Sequence, residues 1–228
     1  VRSVCTTRTG GVSKAPFDEL NLATHVDDQV HAVTTNRARL ASNLRLPATP
    51  VWLNQVHSNI VVELGAGVHL NSTDAPVTAD GGFTRDEGVV LAILVADCLP
   101  ILLASRRSRE IAILHAGWQG LANGVIKNGV EQFHSQDLDA WIGPGIGPCH
   151  YEVDGQLKDK FPDEFLLEGK DSEHWMLDLQ GVAARQLKIL GVEHVYQSNE
   201  CTYCHPERFY SFRRDGITGR IAALIWME

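Results

Sequence analysis

The fold of this chain is decided by residues 89–114, which read VVLAILVADCLPILLASRRSREIAIL. The segment 89–95 is apolar throughout rather than alternating, which predicts a strand buried on both faces. Residues 101–104 and 110–114 predict two further strands on either side of the polar turn 105–108. The last two strands are therefore expected to form an antiparallel hairpin beside a buried strand.

The rest of the chain interleaves strands and helices without a regular period. Residues 31–43 predict a helix that closes before Pro47, and residues 179–190 predict a helix that ends at Gly191. Apolar residues recur at helical spacing from Leu121 to Phe133, which predicts one amphipathic helix. Further strands are predicted at 51–56, 60–64, 195–199 and 221–226. A short strand followed by a Gly/Pro-rich loop is predicted over 140–148. An N-terminal loop containing Gly10 and Gly11 is predicted before the first helix, and a polar connection before Asp80.

This order of elements predicts an α+β fold, layered as an α/β sandwich with mixed β-sheets. A doubly wound sheet would need regular βαβ units, and these are not seen. No linker, low-complexity tract or repeat divides the chain, so one domain is expected over residues 1–228.

Composition excludes several classes of function. The chain has 228 residues and a formal net charge of -8, which argues against an electrostatic nucleic-acid binder. The longest apolar run, 89–96, is about a third of the length needed to cross a bilayer, and no export signal is visible. Five cysteines, an odd number, suit a reducing compartment. A cytoplasmic protein without membrane or nucleic-acid partners is expected, and any anionic ligand must meet a local basic pocket.

Cys98 and His115 form the strongest candidate pair. A hairpin turn centred on Arg106 and Arg107 places the two side chains opposite each other, with Cβ atoms about 5 Å apart. A slip of two residues leaves them diagonal neighbours on one face, whereas a slip of one sends them to opposite faces. The alternative is structural, because cysteine is often buried and a histidine can simply cap a strand end.

His57 is a third candidate, at the end of the strand-like segment 51–56. By itself it is better interpreted as a surface histidine. If it meets Cys98 and His115 it completes a His₂Cys set, which suits Zn²⁺ or a copper ion and leaves a position for water or substrate. Spacing alone does not bring His57 there.

Six blocks, in order along nearly the whole chain, resemble the signature blocks of the YfiH-like family. That family was first described as polyphenol oxidases or laccase-domain proteins and later as purine nucleoside phosphorylases. The blocks are TTRTGGVS at 6–13, NQVH at 54–57, ADCLP at 96–100, HAGW at 115–118, GPGIGPCHYEV at 143–153 and SFRRDGITGR at 211–220.

The resemblance implies a four-layer α/β sandwich and a metal site formed by His57, Cys98 and His115, which are also the implied catalytic residues. Zinc is the implied metal, with copper possible. The implied activity is phosphorolysis of adenosine, inosine, guanosine and methylthioadenosine, with adenosine deamination as a second activity. Two departures are visible: Gln119 stands where family members usually have arginine, and Cys149 is followed by His150, an extra candidate ligand or proton carrier.

Phosphorolysis needs an anion pocket and a group that holds the nucleoside. The guanidinium group presents a planar fork of donors, so arginines in the family blocks are candidate phosphate holders, although solvated loop charge is an equal alternative. The expected partners are nucleosides and phosphate, in a monomer or small homo-oligomer. The candidate substrate-binding residues are Arg8, Asn54, Gln55, Arg213 and Arg214, with Arg220 as a further phosphate holder.

Other functions stay open. Cys98 with His115 as its base, or a metal, suits a hydrolase acting on a cell-wall precursor amide. The ten histidines contain no His-x-His pair, which argues against a multi-copper laccase but not against weak oxidase activity from one copper. A non-catalytic binding protein is a third hypothesis. Asp97 beside Cys98 could orient a ligand, donate to substrate or merely end a strand.

Cys201 begins the sequence CTYCH, which matches the c-haem attachment spacing. Haem attachment occurs in exported proteins, so this interpretation is disfavoured. A zinc ribbon is also disfavoured, because it needs a second Cys-x-x-Cys pair and the other cysteines are isolated singles in the sequence.

Overall fold

The computed structural model describes residues 1–65, 76–135 and 137–228. The strands of these residues are β1 (Arg2–Cys5), β2 (Val51–Trp52), β3 (Val61–Glu63), β4 (Gly81–Thr84), β5 (Val90–Val95), β6 (Leu99–Ser105), β7 (Ile111–Ala116), β8 (Leu138–Ile142), β9 (Glu152–Asp154), β10 (Leu166–Glu168), β11 (His174–Leu177), β12 (His194–Gln197) and β13 (Ile221–Trp226). The helices are α1 (Val30–Leu44), α2 (Trp118–Ala122), α3 (Val125–Val130), α4 (Gly155–Lys158), α5 (Leu179–Ile189) and α6 (Phe212–Asp215), with a 3-10 helix over Asp163–Phe165.

Two sheets carry the fold. A four-stranded sheet has the order β1-β13-β5-β2, and a six-stranded sheet has the order β12-β8-β6-β7-β4-β3. Both are mixed: β2 with β5, β3 with β4 and β12 with β8 are parallel, and the other pairs are antiparallel. Strands β9 to β11 form a separate three-stranded sheet. These sheets confirm the α+β fold and exclude a doubly wound one.

Strand β5 is buried on both faces, as its composition predicts. Leu91 and Ile93 point into the apolar core between the two sheets. Val90 and Ala92 point the other way and pack in a second core with Leu40 of α1. Each fully buried aliphatic side chain contributes about 1.5–3 kcal/mol to folding, so a strand with two apolar faces has no stable solvent-exposed position.

The outer face of the six-stranded sheet is covered by helices. Leu114 of β7 and Ile142 of β8 share one core with Ile126 of α3 and Leu187 of α5. The layers therefore run from α1, through the four-stranded and six-stranded sheets, to the helices α2, α3 and α5. This arrangement confirms the layered α/β sandwich.

The amphipathic helix expected from Leu121 to Phe133 is two short helices, α2 and α3. Gly124 separates them with a φ of 86°, a left-handed conformation that is costly for other residues. The apolar side chains on both sides of the break still face the sheet, which explains why periodicity alone predicted one continuous helix.

The strand expected at 51–56 ends at Trp52. Beyond it, the side chain of Gln55 takes the place of a paired strand residue. Its amide nitrogen donates to the Leu94 carbonyl at 2.8 Å, and its amide oxygen accepts from the Leu94 N–H at 2.8 Å. The backbone is thereby free to turn away from β5 towards the six-stranded sheet.

Several strands were not predicted. β1 was expected to be loop, but it pairs with β13 at the other end of the chain. β4 begins with two glycines, and β9 to β11 are short and half polar, so neither shows a clear strand pattern. Most of the expected polar connection before Asp80, residues 66–75, lies outside the described residues. Among the helices that are described, none has the length and hydropathy needed to span a membrane.

Candidate active site

The hairpin of β6 and β7 has a register two residues away from the one predicted. Pro100 pairs with His115, so Cys98 is not opposite that histidine. The Ser105 hydroxyl accepts hydrogen bonds from the N–H groups of Arg107 and Ser108, at 3.2 and 3.0 Å, and this starts the turn one residue later than a turn centred on Arg106 and Arg107 would. Cys98 and His115 are therefore diagonal neighbours, still on one face.

Two connections between the sheets bring the candidate residues together. Residues 96–98 lead from β5 in the four-stranded sheet to β6 in the six-stranded sheet, and residues 53–60 lead from β2 to β3 in the same sense. Asp97 has a φ of 93° and His57 a φ of 60°, both in the left-handed region that such residues seldom adopt. Strained residues of this kind cluster at functional sites.

His57, Cys98 and His115 converge at this edge. Their ligand atoms all lie within 4.8 Å of one another. The Cys98 Sγ lies 3.7 Å from the His57 Nε2, and the two imidazole rings meet edge to face with centroids 4.8 Å apart. Tetrahedral zinc with ordinary bond lengths holds S and N ligand atoms about 3.5 Å apart. The group could therefore hold a metal ion.

Asp80 organises this group, although sequence reasoning did not select it. Its fully buried carboxylate accepts from the backbone N–H groups of Val56, His57 and Ser58 at 3.1, 2.9 and 2.6 Å. It also accepts from the Ser58 hydroxyl at 2.7 Å and from Nδ1 of His115 at 2.8 Å. One residue thus shapes the His57 loop and directs Nε2 of His115 towards Cys98.

The charges in the site favour a cysteine thiolate. Burial by itself raises the pKa of Asp80, but hydrogen bonds from His115 and Ser58 outweigh it and lower that pKa to about 2. Burial also opposes ionisation of Cys98, yet His115 and then His57 lower the pKa of its thiol. Burial lowers the pKa of His115, whereas the Cys98 thiolate and Asp80 raise it, with a net rise. A thiolate is the form that binds metal.

Gly117 leaves the room that the three side chains need. It lies directly before α2, with an ordinary φ of −77°, so its backbone does not require glycine. A Cβ at this position would lie 2.8 Å from the Cys98 Sγ and 3.1 Å from the His57 Cδ2. The glycine is therefore explained by close approach to the site.

Asp97 acts as a structural link behind Cys98. Its carboxylate accepts from the Thr202 hydroxyl at 2.6 Å and from the backbone N–H of Arg213 at 2.7 Å. Its carbonyl accepts from the Ile146 N–H at 2.8 Å. These contacts connect Asp97 to the loops that carry Thr202, Arg213 and Ile146, and the three roles considered from sequence stay predictions.

Arg8 and Arg214, two of the predicted phosphate holders, are engaged with the protein. Arg8 donates to the carbonyls of Asp18 and Pro206, each at 2.9 Å, and to the Asp18 carboxylate. Arg214 donates to the carbonyls of Thr202 and Tyr203 at 2.9 Å, and also to Phe209 and Asp215. Their guanidinium groups join loops.

Arg213 and Arg220 make fewer contacts. Arg213 donates through Nη1 to the Glu152 carbonyl at 2.8 Å, and its guanidinium lies 5.0 Å from the Tyr151 ring centroid. Arg220 donates through Nη1 to two nearby carbonyls. Burial lowers the pKa of Arg220, while the charges of Cys98 and Asp97 act in the opposite direction, which places its guanidinium within electrostatic range of the site.

The other predicted substrate-binding residues lie on the His57 loop. Asn54 is exposed, and its amide donates to the Thr78 hydroxyl at 3.0 Å. The amide of Gln55 is used by the backbone of Leu94. Gln119, where the family resemblance suggests arginine, is exposed in α2. Substrate contacts by these residues stay predictions.

Two residues that sequence reasoning missed belong with the site. The only feature of the sequence that could have indicated Asp80 is its position as an acidic residue between Ala79 and Gly81, directly before a strand. Tyr151 lies within a family block, but no feature of the sequence indicates a role for it. Burial raises the pKa of its phenol, the charge of Cys98 adds to that rise, and Arg213 opposes it. The phenol therefore stays protonated beside the site.

Comparisons with known proteins agree on one family. A family model described as multi-copper polyphenol oxidoreductase laccase matches residues 2–228. The chain is 38% identical over 236 residues to purine nucleoside phosphorylase YfiH of Escherichia coli, covering 100% of this chain and 94% of that protein. It is 40% identical over 236 residues to a purine nucleoside phosphorylase of Pseudomonas aeruginosa, with the same coverage of 100% and 94%.

Solved structures share the fold. The crystal structure of a Neisseria meningitidis protein of family DUF152 has a TM-score of 0.91 and 37% identity, covering 99% of this chain and 93% of that one. YlmD from Geobacillus stearothermophilus has a TM-score of 0.90 and 34% identity, covering 99% and 92%. The motifs, the four layers and the matches over the whole chain lead to one conclusion: this chain belongs to the YfiH-like family of laccase-domain proteins.

Proposed function

We propose that the chain is a zinc-dependent purine nucleoside phosphorylase that also deaminates adenosine. Adenosine, inosine, guanosine and methylthioadenosine are the proposed substrates, with inorganic phosphate as the second substrate. The names of the relatives support the phosphorylase activity for those proteins. For this chain the proposal depends on the geometry of its own residues.

One observation carries the proposal: the ligand atoms of His57, Cys98 and His115 lie within 4.8 Å of one another. Three protein ligands are typical of catalytic zinc, whereas structural zinc usually has four. Asp80 hydrogen-bonds Nδ1 of His115 and so presents Nε2 as the ligand atom, which is the usual second contact of a metal-binding histidine. When bound there, zinc supplies Lewis acidity and lowers the pKa of water towards neutrality.

Arg213 and Arg220 are the proposed phosphate holders. The hydrogen bonds seen for each guanidinium use only Nη1, which leaves Nε and Nη2 as donors for an anion. Arg220 is in electrostatic range of Cys98, and the backbone N–H of Arg213 donates to Asp97. Arg8 and Arg214 are proposed instead to join neighbouring loops, in line with their contacts to backbone carbonyls.

Phe212 is the proposed contact for the purine ring. Its side chain is 58% exposed, which is unusual for a phenylalanine, and its ring lies 5.8 Å from the Arg220 guanidinium. Its neighbour Arg213 donates its backbone N–H to Asp97. An exposed aromatic face beside a cation suits stacking of a planar base.

The two proposed reactions break different bonds. In phosphorolysis, a phosphate oxygen forms a bond to C1′ of the ribose while the C1′–N9 bond breaks, and the purine leaves with that electron pair and takes up a proton. The protonated phenol of Tyr151 is a candidate hydrogen-bond donor to the departing base. In deamination, a water oxygen bonds to C6 of adenine, the exocyclic C–N bond breaks and ammonia leaves.

The test uses metal-replete protein and adenosine. In phosphate buffer we expect adenine and ribose 1-phosphate, and in phosphate-free buffer we expect only inosine and ammonia. His57→Ala and Cys98→Ser should each lose both activities, whereas the control His31→Ala, which replaces an exposed histidine on α1, should keep them. If the metal-replete protein forms no purine, ribose 1-phosphate or inosine, the proposal is wrong.

The other hypotheses give different outcomes in the same experiment. A hydrolase with Cys98 as nucleophile keeps its activity after chelation and is inactivated by alkylation. A polyphenol oxidase requires copper and dioxygen and leaves nucleosides unchanged. A non-catalytic binding protein shows no change in any assay when His57 is replaced.

A further inference from the structure

A second group of metal-ligating side chains lies outside the site described above. Cys149, His150, Cys201 and Cys204 come from two loops far apart in the chain, and their ligand atoms lie within 4.8 Å of one another. Cys149 and Cys204 are exposed and Cys201 is half-buried. The proposed phosphorylase reaction uses none of these four residues.

The separations match those around a single tetrahedral ion. The Cys149 Sγ lies 3.7 Å from the Cys201 Sγ and 3.4 Å from the Cys204 Sγ, and the Cys204 Sγ lies 3.3 Å from Nδ1 of His150. Tetrahedral zinc with ordinary bond lengths places two sulfur ligands about 3.8 Å apart and a sulfur and a nitrogen about 3.5 Å apart. The four donors therefore need only small movements to bind one ion.

The backbone holds these loops together independently of any ion. Gly145 and Cys201 form a parallel β-bridge, and the Thr202 N–H donates to the Gly145 carbonyl at 3.0 Å. The His150 ring stacks on Tyr203, with centroids 3.9 Å apart and planes 14° from parallel, which fixes the orientation of the imidazole. The donors are therefore preorganised.

A backbone hydrogen bond to the Cys201 sulfur also indicates a metal-binding thiolate. The backbone N–H of Gly147 donates to the Cys201 Sγ at 3.2 Å. Hydrogen bonds of this kind orient the ligands of metal sites and stabilise their negative charge. The geometry points to a structural zinc site formed by Cys149, His150, Cys201 and Cys204, with four protein ligands and no role in binding substrate.

This site would join the two loops behind the candidate active site. Thr202, next to Cys201, donates its hydroxyl to Asp97 at 2.6 Å. On the other loop, the Ile146 N–H donates to the Asp97 carbonyl at 2.8 Å. Asp97 directly precedes Cys98, so an ion bound between the loops would stabilise the turn that presents that cysteine.

The sequence disfavours a zinc ribbon at Cys201 and Cys204, because a ribbon needs a second Cys-x-x-Cys pair and the other cysteines are isolated singles. A ribbon stays disfavoured, but in the fold Cys149 and His150 lie beside Cys201 and Cys204 and supply a second pair of donors of another kind. Adjacent Cys and His residues do not have the spacing of a ribbon, and only the tertiary structure brings them to the Cys-x-x-Cys turn.

The experiment measures zinc in the purified full-length protein after dialysis against metal-free buffer. Because there are two separate donor groups, we expect two zinc ions per chain in the unmodified protein and one each in Cys204→Ser, Cys149→Ser and His57→Ala. With cobalt in place of zinc, the thiolate charge-transfer absorption should fall by more than half in Cys204→Ser, since most of the thiolates belong to this group, and persist in His57→Ala.

Matched controls separate this site from general damage. Cys5→Ala and His205→Asn change residues outside the group and should keep both ions. Chelation should lower the Tm of the unmodified protein by at least several degrees, and by less in Cys204→Ser. Any of three results would overturn the inference. The first is two zinc ions in Cys204→Ser. The second is a single zinc ion in the unmodified protein that is lost in His57→Ala. The third is a disulfide between two of the three cysteines in protein prepared without reductant.

Discussion

Replacing Asp80 with asparagine tests whether one buried carboxylate organises the candidate active site. Five hydrogen bonds converge on this residue, three from backbone N–H groups of the His57 loop, one from the Ser58 hydroxyl and one from His115. Asparagine has nearly the same shape but only one oxygen that can accept. Its amide nitrogen must therefore face donors that now meet a carboxylate oxygen.

Either orientation of the new amide has a calculable cost. If its nitrogen replaces Oδ1, it faces the His57 N–H and Nδ1 of His115, which now lie 2.9 and 2.8 Å from Asp80. One backbone N–H is then unpaired, at about 1–3 kcal/mol. His115 must accept at Nδ1 and carry its proton on Nε2, which blocks the atom that would bind metal. If the nitrogen replaces Oδ2 instead, two backbone N–H groups, those of Val56 and Ser58, lose their acceptor.

We expect Asp80→Asn to lower the free energy of unfolding by about 2–3 kcal/mol, which for a chain of this length lowers Tm by about 4–12 °C. Zinc affinity at the His57 site should fall about 10–100-fold. Thermal unfolding of the metal-free protein and competition with a chromophoric chelator measure the two effects separately. Asp139→Asn, which replaces a half-exposed carboxylate on β8, is the control. Unchanged zinc affinity in Asp80→Asn would refute this account of how His115 is oriented.

Three further variants test separate contacts. Gly117→Ala has no backbone strain but places a Cβ 2.8 Å from the Cys98 Sγ, so zinc affinity should fall at least about tenfold in a chelator competition, and an unchanged affinity would contradict the close packing. Arg213→Gln should raise the KM for phosphate about tenfold but that for nucleoside less than about twofold, with partial rescue by lysine; equal changes in both would count against a phosphate contact. Tyr210→Phe removes the hydroxyl that donates to the Phe17 carbonyl at 2.7 Å and should lower the free energy of unfolding by about 1–2 kcal/mol in urea, whereas no change would mean that the bond contributes nothing.

The sequence predicted those parts of the fold in which burial is continuous along the chain. β5 was found because apolar side chains on both faces leave no alternation, and α1 and α5 because their helical patterns have clear ends. β1 was missed because its partner, β13, lies at the opposite end of the chain and its own pattern is half exposed. Pairing between such distant segments depends on tertiary packing, which local pattern does not record.

The candidate site was predicted in the same uneven way. The sequence correctly placed Cys98 and His115 on one face of the hairpin, because a slip of two residues does not change the face. The predicted register was wrong, because it depends on the hydrogen bonds that the Ser105 hydroxyl accepts in the turn. The position of His57 depends on Asp80, which lies 23 residues further along the chain. No periodicity connects those two residues, so the resemblance to a family, and not the spacing, supplied the third member of the set.

The two Cys/His groups differ in a way that coordination chemistry explains. The group of His57, Cys98 and His115 offers three ligands, the number typical of catalytic zinc, which also binds water or substrate. The group of Cys149, His150, Cys201 and Cys204 offers four, the number typical of structural zinc. A single hydrogen bond, from Thr202 to Asp97, connects the residue after Cys201 to the residue before Cys98. Because Asp97 has a strained left-handed backbone, its conformation must be maintained by its surroundings, and the loops beside the second group supply the bonds that maintain it. The proposed structural ion would therefore contribute to the geometry of the reactive centre without contacting anything that reacts.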